Sequence, residues 1–394
     1  MKCTVCLSAV MLAVVACTDP TAPPAPSFDV VGVTAQEVFA RYVSLGTSNS
    51  QGVQRAGVFA AAQRAAWPAQ LAARVGVPFS LPLVQDPGCS PPLLTPLATN
   101  LALVGVFAIF GAGGDLVEAV DGICMPLQPG VTLPANSVAI SGAKTRDALH
   151  GTPETKGELY DRVLPPGHTQ VSAMLAQRPT FVSVELGANE VLPAATGLVS
   201  SMTPYEDWTR DYDAVIAAVQ STGARAVLVG LPRNAATFPS VRRAREFFNE
   251  WPYLLPLGIR VSLSCYFSSN YLFIPGYVLT LLSRAPTTAT CANVPGAVDY
   301  VVTTSELATI NNQLARMNTY IQSHANANGY AYFSIDAVYG LAKPRFSMVD
   351  VLFSSTPFGP YMSADGVHPN NAGQSLLAAA AVQAINARYG LAIQ

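Results

Sequence analysis

Five short apolar runs punctuate the chain: Arg41–Leu45, Ser137–Ser141, Phe181–Leu186, Arg225–Leu231 and Tyr330–Ile335. The first three run straight into a glycine, at Gly46, Gly142 and Gly187. Such runs read as buried strands that end in turns. Between them, apolar residues recur at helical spacing. Thr34–Ala40 is a short helical lead-in. Gly52–Ala73 carries Val53, Val58, Ala62 and Ala66 among arginines. Thr145–Leu149 starts a helix after the Gly142 turn. Tyr205–Ser221 is amphipathic, with Thr203 as its N-cap. Phe238–Asn249 is charged and helical, Thr304–Asn326 is long, and the Ala-rich Asn371–Tyr389, entered through Pro369, closes the chain. Val77–Pro96 and Pro126–Asn136 are broken by prolines and read as loops. Leu97–Ala112 is apolar, but too short and too interrupted to cross a bilayer, and reads as a buried helix or cap element. Trp251–Pro286, rich in aromatics and prolines and without a clear period, reads as an insertion.

Strands alternating with helices imply right-handed βαβ units and a parallel sheet. Five strands with helices on both faces predict a three-layer α/β/α domain of flavodoxin-like order 2-1-3-4-5. That domain spans 31–394, with insertions near 77–135 and 250–300. Ligands of such sheets bind at the carboxyl edge of the strands.

The N-terminus changes the picture. Met1-Lys2, an apolar run from Val5 to Ala16 and then Cys17 describe a signal peptide over 1–16. Val14-Val15-Ala16-Cys17 resembles the lipobox of bacterial lipoproteins. That resemblance implies a lipidated Cys17, an exported protein anchored in the bacterial envelope, and a proline-rich tether over 17–30. Charged residues are 12% and hydrophobic ones 50%, which excludes a disordered chain. The net charge of −2 offers no basic footprint for nucleic acid. Once Cys3 and Cys6 leave with the signal and Cys17 is anchored, Cys89, Cys124, Cys265 and Cys291 remain. In an exported chain this even set implies two disulfides with three possible pairings. Pairing of sequence neighbours, Cys89–Cys124 and Cys265–Cys291, is the expectation. The spacing matches no zinc site, and no metal, nucleotide cofactor or obligate protein partner is implied.

The chemistry centres on Gly46-Thr47-Ser48-Asn49-Ser50. A sharp turn from strand to helix can hold a serine hydroxyl above a sheet edge. Serine is a weak nucleophile until a base takes its proton. Asp365-Gly366-Val367-His368-Pro369 offers that base and an orienter for it. Ser141-Gly142-Ala143 and Gly187-Ala188-Asn189-Glu190 offer oxyanion donors. Alone, each piece is unspecific. Together, in this order and after these strands, they resemble the SGNH hydrolases, the GDSL esterase/lipase family, over most of residues 41–389. The resemblance implies Ser48, His368 and Asp365 as a catalytic triad. It assigns oxyanion stabilisation to the N–H groups of Ser48 and Gly142 and the amide of Asn189. The substrate it implies is a small-molecule or lipid ester. Two positions depart from the family pattern: Thr47 stands where the family has Asp in Gly-Asp-Ser, and Glu190 where it has Asp in Gly-x-Asn-Asp.

An α/β-hydrolase is disfavoured, because only one strand precedes Ser48 and because Asp365 and His368 lie so close in sequence. Polysaccharide O-acetyl ester hydrolysis, and an inactive surface lipoprotein that binds lipid or glycan, are the alternative functions. His150, His168 and His324 have no comparable context: His150 and His168 follow the Gly142 turn and are only the lesser candidates for lining the cleft, His324 lies within a helix and is expected on the surface, and Glu185 is expected as a structural partner. The two insertions are expected to wall the cleft for a medium acyl chain, Leu97–Phe110 from one and Phe267, Tyr271, Phe273, Tyr277, Leu279, Leu281 and Leu282 from the other. The alternative is that each only adds core. The anchor has its own test: Cys17→Ser should move the protein from the membrane fraction to the soluble fraction with its activity unchanged. A mature N-terminus found elsewhere by mass spectrometry would rule the anchor out.

Overall fold

The structure is a computed structural model and describes residues 33–90, 92, 93, 95 and 124–394. The signal peptide, Cys17, the tether and the Leu97–Ala112 run lie outside these residues. Four strands form one parallel sheet in chain order: β1 (Tyr42–Gly46), β2 (Phe181–Glu185), β3 (Arg225–Gly230) and β4 (Ala331–Ser334). Tyr42 pairs with Phe181, Phe181 with Arg225, and Val227 with Ala331.

The fifth expected strand is present only in part. Residues 137–141 run parallel to the outer edge of β1, where Val138 and Ile140 N–H donate to the Ser44 and Gly46 carbonyls at 2.9 and 3.0 Å. They make one bridge, Ser44 to Ser137. The buried Gln170 amide donates to both the Gly46 and the Val138 carbonyls, at 2.8 and 2.7 Å, so a side chain takes up carbonyls on both segments at this edge. The order, with this segment outside β1, is the predicted one.

Strand alternation builds two cores. Tyr42, Phe181, Val227, Val229 and Phe333 point to one face of the sheet. Val43, Leu45, Val182, Val184, Ala226 and Leu228 point to the other. On the first face lie α3 (Trp67–Val75), preceded by α1 (Ser48–Gln51) and α2 (Ala60–Ala65), and the closing helix α8 (Asn371–Tyr389). The second face is covered by α4 (Thr145–His150), α5 (Gln170–Ala176), α6 (Tyr205–Ser221) and α7 (Thr304–Asn328). The result is the expected three-layer α/β/α arrangement. Among the described residues no helix is long and apolar enough to cross a membrane.

Some local expectations needed correction. Gly52–Ala73 is not one helix: left-handed backbone at Gly52, Arg55 and Ala56 breaks it, and helix resumes in α2 and α3. The break lets Val58 pair with Cys89. The N-cap of α6 is Pro204, not Thr203, whose backbone N–H is taken by the Glu190 carbonyl at 2.9 Å. In the Phe238–Asn249 stretch only Ala244–Asn249 is helical, because Val241–Arg243 pairs antiparallel with Tyr271–Phe273.

The second insertion is ordered around that pairing. Tyr271–Phe273 also pairs with Val301–Val302, and Ile259–Val261 pairs with Thr287–Ala289. Cys265–Cys291 and Cys89–Cys124 are the two disulfides. Tyr277 and Leu281 sink into the first core, whereas Phe267 is 76% exposed. Much of this insertion therefore adds core, and among the described residues of the expected wall Phe273 lines the cleft described below.

The two ends of the domain meet through one buried side chain. Gln374 of α8 accepts from Trp67 N–H at 2.9 Å and donates to the Asn49 carbonyl at 3.2 Å. Gln374→Ala strands both backbone groups away from water. It should cost about 2–6 kcal/mol, given roughly 1–3 kcal/mol for each of the two orphaned buried groups. Urea unfolding of the variant measures this, and a loss below ~1 kcal/mol would mean that the groups find other partners.

Candidate active site

Ser48 is the first residue of α1, which starts where β1 ends. The first N–H groups of a helix have no partners within it. Among the described residues, the N–H groups of Ser48 and Gly142 have no acceptor. Gly142 has φ +76°, a left-handed conformation that a residue with a Cβ adopts at a cost. The turn that carries it is held from below. Gln51, one turn after Ser48, accepts from Ser141 N–H at 2.7 Å.

Asn189 stands in the turn after β2, and its amide donates to the Ala143 carbonyl at 2.9 Å. That bond uses one of its two amide hydrogens. The neighbouring Glu190 is buried and accepts from Thr145 N–H at 2.5 Å, which ties the start of α4 to the Asn189 turn. Burial raises its carboxyl, against the pull of the Thr145 bonds. Glu190 thus has a structural part here, holding the start of α4 beside the turn that carries Asn189.

Asp365 is the most heavily solvated by protein of the expected residues. Its Oδ1 accepts from Val367 and His368 N–H at 2.9 and 2.8 Å. Its Oδ2 accepts from Ala56 N–H at 2.8 Å and lies 3.1 Å from His368 Nδ1. An ionised carboxylate only accepts, so Nδ1 carries the hydrogen and Nε2 is left free to take a proton. Burial alone would raise the Asp365 carboxyl. The His368 imidazole and the N–H donors outweigh it and hold the group down at about 2. Gly366 lets the loop turn at φ +68°, and a Cβ there would meet Ser240 at 2.7 Å and the Phe358 ring at 2.9 Å.

These residues converge. Ser48, Gly142, Asn189, Asp365 and His368 line one cleft that opens to solvent. Its walls include Val53, Val58, Leu159, Leu192 and Phe273. A second cleft shares Ser48, Asn189, Leu192, Val367 and His368 and extends toward α7, past Phe238, Ile310 and Leu314.

The other histidines stay apart. His150 is exposed on α4, and His168 sits with Nδ1 3.0 Å from the Pro166 carbonyl. Neither lines the two clefts, because both follow the Gly142 turn by enough chain to leave the sheet edge. His324 is not a free surface residue: it is half-buried against Tyr212 and Tyr320, with Nε2 2.8 Å from Asp213 Oδ1. Two positions had not been singled out. Gln51 follows Ser48 at a helical spacing that places both on one side of α1. Ala56 carries no sequence signal, since its part is played by its backbone.

A parallel α/β/α sheet with a serine, a histidine–carboxylate pair and amide donors around one edge cleft is the architecture of an acyl hydrolase. The sequence profile of the GDSL-like lipase/acylhydrolase family matches residues 42–381, and the chain belongs to that family. A search of curated protein sequences returned no match. Among solved structures, a catalytic mutant of an acetylxylan esterase from Geobacillus stearothermophilus is 10% identical, covers 87% of this chain and 93% of its own, and superposes with a TM-score of 0.36. An extracellular lipase from Streptomyces rimosus is 14% identical, covers 88% and 98%, and also scores 0.36. Phospholipase A1 from Streptomyces albidoflavus is 17% identical, with the same coverage and a score of 0.31. The family match, not these superpositions, carries the assignment.

Asp365 also sets an acid limit on stability. Its folded value of about 2 lies below the ordinary 3.8, so the native state favours the ionised form. That contribution is complete above the unfolded value and is lost as pH falls through the folded one, a window of about 4 to 2. At about 1.4 kcal/mol per unit it amounts to roughly 2 kcal/mol. Asp365→Asn should therefore be less stable than wild type near neutral pH, with the gap closing across that window. Urea titrations of both proteins at several pH values measure it, and a gap independent of pH would contradict the shift.

Proposed function

We propose that the protein is a serine carboxylic-ester hydrolase that acts on esters of medium-length acyl chains. The observation that carries this is the meeting, in one apolar cleft, of Ser48 with a histidine whose Nδ1 is engaged by a buried carboxylate. In this reading Ser48 Oγ attacks the ester carbonyl while His368 Nε2 takes its proton. Asp365 holds the imidazole and stabilises the cation that forms. The carbonyl oxygen becomes an oxyanion, which Ser48 N–H, Gly142 N–H and the second amide hydrogen of Asn189 stabilise. His368 then protonates the leaving alcohol, and water repeats the sequence to release the acid. The cleft that runs toward α7 supports an acyl chain, since Phe238, Ile310 and Leu314 offer it only carbon. The lipobox-like tetrad and the two disulfides support a further proposal, export and anchoring in the bacterial envelope through Cys17.

Ser48→Ala and His368→Ala should each reduce hydrolysis of a p-nitrophenyl ester to near background, and by similar factors, because the two act as a unit. Retention of most activity in Ser48→Ala would remove the nucleophile. Leu314→Trp fills the second cleft. It should lower kcat/KM for the octanoate ester by at least about tenfold and leave the acetate ester within about twofold, since each buried methylene contributes roughly 0.8 kcal/mol. If acetate is the best substrate and Leu314→Trp affects both esters alike, deacetylation of a glycan replaces the acyl-chain reading.

A further inference from the structure

Tyr339 closes the short helix Asp336–Tyr339, which follows β4 at the opposite edge of the four-stranded sheet from β1. It takes no part in the reaction just described. The helix belongs to the frame: Ile335 N–H donates to the Gly230 carbonyl at 3.0 Å, and Asp336 Oδ1 accepts from Arg233 N–H at 3.1 Å. The Tyr339 ring is buried in the first core, with its centre 4.8 Å from that of the Phe238 ring. Its hydroxyl donates to the Val367 carbonyl at 2.8 Å and lies 3.2 Å from Asn49 Oδ1. Among the described residues nothing else donates to that carbonyl. A phenol has one hydrogen, and the carbonyl, which can only accept, takes it. An amide can turn either end to a partner, so Asn49 meets the phenol oxygen with its NH2 group. Burial, and then the charges of Asp365 and Glu185, push the hydroxyl well above its ordinary value of 10, so it remains a donor across the neutral range. The groups it joins are neighbours of the reacting ones. The Val367 carbonyl belongs to the peptide that carries His368, and the N–H of that same peptide donates to Asp365 Oδ1 at 2.8 Å. Asn49 directly follows Ser48 in α1. Asp365 orients the imidazole within one loop, and the Tyr339 hydroxyl ties that loop to the start of α1.

We propose that Tyr339 is a positioning residue that sets the separation of Ser48 from His368: one buried hydroxyl, carried by the sheet frame, joins the peptide of the base to the residue after the nucleophile. The proposal rests on the reading of Ser48 and His368 as nucleophile and base. Proton transfer from Oγ to Nε2 requires the two atoms within hydrogen-bond reach. A peptide held at both its polar ends cannot rotate, which fixes the direction in which the His368 side chain leaves the backbone. That geometry is common to every ester. The Tyr339 ring, by contrast, lines the second cleft and can act only on a chain that enters it.

Tyr339→Phe keeps the ring against Phe238 and removes the hydroxyl. It should lower kcat per serine titrated to completion by a fluorophosphonate at least about tenfold, because a misplacement of about 1 Å in a reacting group can cost about a hundredfold. The loss should be the same for acetate and octanoate esters, with KM changed by less than about threefold. Asn49→Ala removes one end of the link and should lower kcat per titrated serine by about threefold or more. In Tyr339→Phe/Asn49→Ala the link is already cut, so kcat should stay within about twofold of Tyr339→Phe alone. A merely structural role would lower Tm and the titratable fraction but leave kcat per titrated serine intact. A role in the cleft wall alone would raise KM for octanoate and spare acetate. Either result overturns the proposal, as does a double variant in which the two losses multiply. If Tyr339→Phe does not fold, Asn49→Ala decides: a fall in kcat per titrated serine common to both esters supports the proposal, and a wild-type kcat overturns it. A folded wild-type chain without Ser48-dependent hydrolysis defeats the esterase reading and the proposal with it. Wild-type hydrolysis with full kcat in Tyr339→Phe defeats the proposal alone.

Discussion

Four donors converge on the Asp365 carboxylate, three from its own loop and one from a distant part of the chain. Ala56 N–H arrives from the loop between α1 and α2, and the other three come from Val367 and His368. The same loop sends Arg55 N–H to Ser363 Oγ at 2.6 Å and the Gln54 amide to Asn371 Oδ1 at 2.7 Å. A buried carboxylate is tolerable only when its lone pairs are occupied. This one requires that the segment after Ser48 and the segment before α8 be docked. Backbone strain at Arg55 and Ala56, both left-handed without being glycine, follows from that docking.

The sheet supplies the frame for the docking. Its alternation divides the strand side chains between two cores, so each helix layer packs against a separate set. Gly46, Gly187 and the Gly142 turn all lie at the carboxyl edge. There the ladder ends and backbone N–H groups become free for other partners. Side-chain amides take over where the ladder stops: Gln170 bridges β1 to the 137–141 segment, Gln51 holds Ser141, and Asn189 reaches Ala143. Gln170, Gln51 and Asn189 are buried, and each makes at least one of these bonds.

The insertions relate to function less directly than their composition suggests. Trp251–Pro286 adds Leu254, Ile259, Leu272, Ile274, Tyr277 and Leu281 to the first core, while its Trp251, Tyr253 and Phe267 are exposed. Only Phe273 carries it to the cleft, packed with Val241 and Val367. The apolar walls of the second cleft come instead from Phe238 and from α7, a helix of the basic fold. An apolar residue in an insertion can face core or ligand, and composition does not distinguish the two.

Much was legible from residues alone. The boundaries of α6 and α8 and the strand order follow from periodicity and turn chemistry, the neighbour pairing of the cysteines was the expectation among three possibilities, and the gathering of Ser48, Gly142, Asn189, Asp365 and His368 was implied by the family resemblance that their order carries. These are local signals, or signals of a few residue types in sequence order, and a strand or a helical face expresses them wherever it packs. The break in Gly52–Ala73, the incomplete edge strand, the partner of His324, the part played by Ala56 and the particular partners of Glu185 were not legible. Each depends on a partner far away in the chain: Asp365 for Ala56, Gln170 for the edge segment, Asp213 for His324, the Thr47 turn for Glu185. A backbone N–H carries no letter in the sequence, and a buried glutamate reads the same whether it serves a helix, a sheet or a reaction. The sequence by itself determined the layers and the chemical groups at the sheet edge. Only the tertiary structure decided which donors meet which acceptors, because that pairing is set by burial, where every polar group must find a partner.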